Sequence, residues 1–180
     1  EFALSWFYPN RPKGWVEVDA ELERHANGGY ELIRNNYALR FTDAWDVLEH
    51  LVRDLPTLES KSRAFTHALY GSSLPAPMLE AVADNITVLR SHTCFWLEDG
   101  NFYGWEGVRN YVGCGLGNVN HVWNYAQTVA FLFPELEKTM RNLEFRTEIG
   151  DDGSLPFRSR QSLDGERWQM VPAADGQLGA

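Results

Sequence analysis

The side chains that could do chemistry concentrate between Thr93 and Pro134, in TCFWLEDGNFYGWEG, VRNYVGCG and LGNVNHVWNYAQTVAFLFP. Trp96, Trp105, Trp123, Tyr103, Tyr111 and Tyr125 lie there, interleaved with glycines and with Glu98, Asp99, Glu106, His121 and Asn124. Aromatic faces beside carboxylates suit a sugar. The apolar face of the ring stacks on an indole, and the hydroxyls exchange hydrogen bonds with Asp, Glu, His and Asn. The same composition also fits an aromatic core where loops cross.

Each polar residue has two readings. Glu106, next to Trp105, is either a partly solvated loop carboxylate or an attacking group held ionised by donors around it. Asp99 precedes Gly100, and Asp-Gly is first of all a turn. His121 is either a satisfied core histidine or a hydroxyl ligand, and Asn124 divides in the same way. Trp123 and Tyr125 fit partly in a core, which leaves Trp105 as the better stacking platform. Asp175 reads as a helix-start carboxylate. His25, His50 and His67 are scattered and carry no assigned role.

The elements that must position these residues follow from periodicity. Residues 2–8 (FALSWFY) predict a strand ended by Pro9 and Pro12, and residues 13–40 a connecting segment. Thr42 is the expected N-cap of a helix striped by Ala44, Trp45, Leu48, Leu51, Val52 and Leu55 and ended by Pro56. Thr57 would open a second helix that Gly71 stops, and a third would carry Met78, Leu79, Val82, Ala83, Ile86 and Leu89. The short joints predict antiparallel neighbours. Thr93–Leu97 and Asn101–Trp105 predict a hairpin around Asp99-Gly100. Asn118 or Asn120 would cap a helix running to Phe133. Glu135–Asn142 predicts a further helix, Phe145–Ile149 and Leu155–Ser159 a second hairpin, and residues 173–180 another helix start.

Composition removes several function classes. A formal net charge of −9 over 180 residues, with no Lys/Arg cluster, excludes the electrostatic footprint of a nucleic-acid binder. No apolar run is long enough to span a bilayer. Cys94 and Cys114 could be bridged or free, and with scattered histidines they do not make a structural zinc site. Asn85-Ile86-Thr87 is a formal glycosylation acceptor inside a predicted helix and is discounted. The abrupt opening and close of the sequence read as those of a piece of a longer polypeptide.

The segments WLEDGNFYGWEG and NHVWNYAQTVAFLFPELEKTMR resemble the catalytic region of glycoside hydrolase family 116, in particular bacterial relatives of the non-lysosomal glucosylceramidases. ALSWFYPNR, NNYALRFTDAWDV, SSLPAPMLEAVADNITVLRSHTCFW and AADGQLGA fit the same pattern in order. The resemblance implies a mainly α fold: residues 1–12 would end an N-terminal β-sandwich, 13–41 would be a linker, and 42–180 would form the first part of an (α/α)6 barrel. It implies a retaining β-glycoside hydrolase acting on a carbohydrate or glycoconjugate without a cofactor, completed by the remainder of its own polypeptide. Glu106 would be the nucleophile, with Asp99, Trp105, His121, Trp123, Asn124 and Asp175 around the sugar. The general acid/base would lie beyond residue 180. Two departures stand out. A sugar-binding Asp of the glucosylceramidase branch falls on His121, and a His-Asp pair falls near Phe157-Arg158. A non-catalytic saccharide-binding protein on the same fold is the alternative.

Overall fold

The computed structural model describes residues 2–12, 32–91, 94–104, 118–121, 123–159 and 170–180. Among these the fold is mainly helical, with three short antiparallel strand pairs. Strand β1 (Asn10–Pro12) pairs with β2 (Leu32–Arg34), and a 3-10 turn follows at Asn36–Leu39. Helices α1 (Ala44–Tyr70) and α2 (Ala76–Val88) come next, then the hairpin of β3 (Cys94–Trp96) and β4 (Phe102–Gly104). Strand β5 (Asn118–Val119) leads toward α3 (Trp123–Leu132) and α4 (Pro134–Leu143). A π-helical turn at Glu144–Glu148, strand β6 (Arg158–Ser159) and α5 (Ala174–Gly179) complete the order.

The β3–β4 hairpin is the centre of the packing. Its turn is closed by Gly100, whose φ of +84° is a left-handed conformation that glycine adopts without strain. Side chains alternate across a strand, so Phe102 and Tyr103 enter different cores. Tyr103 packs with Ile33, Leu97 and Leu143, and Phe102 packs with Val129 and Met140. The β1–β2 pair is fastened to the hairpin through Glu98: its backbone N donates to Arg34 O at 2.9 Å, and its side-chain Oε1 accepts from Arg34 N at 2.8 Å. Asn36 Nδ2 adds a bond to Leu97 O at 3.2 Å. Helix α3 packs on both α2 and α4, and α4 lies against β4.

Several expectations are corrected. Residues 2–8 are not a strand. Phe2, Leu4, Trp6 and Tyr8 alternate as a strand would, but a strand exists only where a ladder partner exists, and these side chains are exposed. The segment is tied instead by Tyr8 N to Tyr37 Oη at 2.7 Å and by Ser5 Oγ to Ala44 O at 2.6 Å. Pro56 does not end a helix, nor does Thr57 begin one: α1 runs through both for 27 residues. An internal proline costs about 3 kcal/mol, through one lost hydrogen bond and a clash with the carbonyl four residues back. That carbonyl belongs to Val52 on an exposed turn, where water can take the lost donor's place.

The N-cap of α1 is Asp43 and not Thr42. Asp43 Oδ1 accepts from Asp46 N at 2.9 Å, while Thr42 N donates back to Asp46 Oδ2 at 2.9 Å. Phe145–Ile149 is not a strand either. Leu143, Glu144 and Glu148 are buried at helical spacing, and Ile149 N reaches Glu144 O at 2.9 Å to close the wide turn. The expected turn after it is present, with Gly153 at φ +79°. Within 155–159 only Arg158–Ser159 pairs, and its partner is Asn118–Val119. That pairing uses the backbone bonds of residues expected at the start of a helix, so α3 begins at Trp123. Gly71 caps α1, and α4 and α5 fall where periodicity puts them.

Helix α1 buries none of its residues, and neither does α2. Trp45, Val52, Leu55, Leu58, Phe65, Met78 and Val82 are exposed, as are Phe131 and Phe133. Contiguous apolar surface on this scale is adhesive. The 180-residue chain on its own is therefore expected to bind a hydrophobic dye such as anilinonaphthalene sulfonate and to self-associate on size exclusion. A monodisperse monomer without dye fluorescence would contradict that expectation.

Candidate functional site

Three segments far apart in sequence meet beside the β5–β6 pair. Asn118 pairs with Ser159 and Val119 with Arg158, which carries the chain into Asn120 and His121 next to Phe157. The His121 and Phe157 rings stand edge to face, with centroids 5.6 Å apart and planes at 82°. Asp175, in the first turn of α5, brings Oδ2 to 3.8 Å from His121 Nδ1. That is too long for an orienting hydrogen bond, so the contact becomes an ion pair when the imidazole is protonated. The other carboxylate oxygen, Oδ1, accepts from Gly176 N at 2.9 Å. Arg158 places its guanidinium 5.3 Å from the centre of the Phe157 ring.

Asn120 joins these segments. Its backbone N donates to Phe157 O at 3.2 Å, and its Nδ2 donates to Pro156 O at 3.0 Å. Helix α5 is also held by Gln177, whose Nε2 donates to Gly153 O at 3.0 Å. An imidazole, a carboxylate, a guanidinium and an aromatic ring thus lie together at a partly open surface. His121 is 28% and Asp175 55% exposed at the side chain, so a ligand can reach both. Such a set offers donors and acceptors to hydroxyls. Among the described residues no group of three or more His, Cys, Asp or Glu could hold a metal ion.

The other sequence candidates divide. Trp105 and Glu106 lie outside the described residues, and of Trp123 and Asn124 only the backbone at the start of α3 is described. Asp99 is the turn carboxylate that Asp-Gly suggests. Its Oδ1 accepts from Asn101 N at 2.9 Å, and its Oδ2 accepts from Tyr103 Oη at 2.6 Å and Asn101 Nδ2 at 3.1 Å. Tyr103 is fully buried, and burial first, then the bond to Asp99, push its hydroxyl well above the usual phenol range. The proton therefore stays on Tyr103, which donates. Asp99→Ala strands that buried hydroxyl. It should cost about 1–3 kcal/mol of stability, measured by denaturant unfolding, and leave sugar affinity unchanged. A loss of affinity without loss of stability would instead put Asp99 in the site.

Sequence reasoning did not single out Asn120, Gly176 or Glu144 as important. Asn120 was read only as a helix cap, and nothing local distinguishes Gly176 from any other glycine. Glu144 could have been found, since it continues the apolar row Leu136, Met140 and Leu143 of α4. It is 2% exposed, bonded through Oε2 to Arg141 Nη1, with Oε1 buried and unpartnered. Desolvation by burial raises its carboxyl to about 7 against the opposing attraction of Arg141, with Glu137 adding to the rise. Neither protein-family models nor curated proteins match the chain.

Proposed function

We propose that the chain is part of a retaining β-glycoside hydrolase of the family 116 type, related to the glucosylceramidases. Its helices would form the opening section of an (α/α)6 barrel, and its first residues the end of a β-sandwich. The observation that carries this reading is the meeting of His121, Phe157, Arg158 and Asp175 on one surface. The resemblance puts His121 and Asp175 around the sugar and a sugar-contacting His-Asp pair of the related branch near Phe157-Arg158, where the residue types differ, and these span three separate segments of sequence. Supporting it, β4, which leads in sequence into Trp105-Glu106, runs beside β5, which leads into His121.

A retaining glycosidase needs one carboxylate to attack the anomeric carbon and a second carboxyl about 5–5.5 Å away to protonate the leaving oxygen. Glu106 takes the first role, and the second falls to a residue outside this chain. Asp175 and His121 bind hydroxyls, with Trp105 as the stacking wall. No helix among the described residues is long and apolar enough to cross a membrane.

The test is trapping. The full-length protein, treated with a 2-deoxy-2-fluoro β-glycoside and digested, should yield a labelled peptide containing Glu106. A label on another carboxylate ends the assignment. Absence of label together with sugar binding favours the second reading, a saccharide-binding protein without catalysis. That reading draws on the imidazole at position 121, where the related branch carries a carboxylate.

A further inference from the structure

Gly176 is buried, while its neighbours Ala174, Asp175, Gln177 and Leu178 are exposed. Its backbone is not in the left-handed region, since Gly100 and Gly153 alone have positive φ among the described glycines. Conformation therefore does not require glycine there; space does. A Cβ at 176 would stand 2.3 Å from Asn120 Oδ1, 3.0 Å from Asn120 Cγ and 3.2 Å from His121 Cβ. The amide of Asn120 cannot swing aside freely, because Nδ2 is bonded to Pro156 O. Its Oδ1, buried without a hydrogen-bond partner, faces the bare Cα of Gly176.

We propose that Gly176 and Asn120 are positioning residues: their close seam seats the turn carrying His121 against α5 and thereby sets the approach of the Asp175 carboxylate to the imidazole. Gln177 Nε2 ties α5 to Gly153 O as well, so a side chain at 176 presses on the seam against a second anchor of the helix. The link to function rests on reading His121 and Asp175 as the pair that contacts the sugar.

The first measurement is independent of activity. Modification of His121 by diethyl pyrocarbonate, followed by peptide mass spectrometry on the full-length protein, reports how tightly the turn is covered. Gly176→Ala should raise the His121 rate several-fold. In an Asn120→Ala background the same glycine substitution should add little, because the atoms that a Cβ strikes most closely are gone. A merely structural effect on α5 would act equally in both backgrounds. Asn120→Asp, which loses the donor to Pro156 O, should also raise the rate and serves if Gly176→Ala does not fold. An unchanged His121 rate in the folded variants, or equal effects in both backgrounds, overturns the inference. The second measurement is hydrolysis of 4-nitrophenyl β-glucoside by the same proteins. Gly176→Ala should raise KM several-fold with kcat little changed. If the modification result holds while KM stays at the wild-type value, the positioning stands and the sugar-contact reading of the pair falls.

Discussion

Glu106→Gln in the full-length protein should lower turnover of an aryl β-glycoside by several orders of magnitude while sugar binding persists. In a retaining enzyme both formation and breakdown of the glycosyl-enzyme pass through one carboxylate oxygen. On the proposed reading an amide of the same shape removes the nucleophile, so the loss would fall on kcat and not on KM. Glu106→Gly goes further: on the same reading, azide would attack from the face the carboxylate used. The product would be a glycosyl azide of inverted configuration, detectable by NMR. Wild-type turnover in Glu106→Gln would remove the catalytic role and leave the saccharide-binding reading.

A second large effect concerns stability against pH. The Glu144 carboxyl titrates at about 7 in the folded chain, against an ordinary value of 4.5. The folded state thus holds this proton more tightly than the unfolded state, and stability falls with rising pH wherever that difference applies. The group's favourable contribution is complete below its unfolded value and is lost as pH rises through the folded one. At 1.36 kcal/mol per unit the span amounts to about 3 kcal/mol.

The physical origin is a carboxylate only 2% exposed, with one oxygen bonded to Arg141 and the other buried without a donor. Glu144→Gln cannot ionise. Urea unfolding across pH 4 to 8 should show wild-type stability declining over the interval, and the variant holding level over that part of the curve. A wild-type curve that rises from pH 5 to pH 7 would mean that Arg141 outweighs burial and keeps Glu144 ionised.

Sequence alone was enough wherever one local rule had no rival. Asp-Gly between two aromatic runs determined the β3–β4 hairpin, because few residues other than glycine accept the left-handed turn. Gly71 ended α1, and Pro134 opened α4. Asp99 was legible as a turn residue for the same local reason, although its bond with Tyr103 was not.

Local rules failed where two of them competed or where a distant partner decided. Pro56 is a stop signal by itself, yet the strong helix formers on both sides carry α1 across it. Residues 2–8 alternate like a strand but find no ladder, while Asn118–Val119, which reads as a helix start, finds one in Arg158–Ser159. The site shows the same division. Sequence, through the resemblance, put His121 and Asp175 around one sugar, and supplied Phe157-Arg158 only as a departure. Only tertiary structure supplied the contacts that join the three segments, because the β5–β6 pairing and the bare Cα of Gly176 act between residues more than thirty positions apart. No periodicity records such contacts, since each depends on which backbone arrives opposite and on the space a missing side chain leaves.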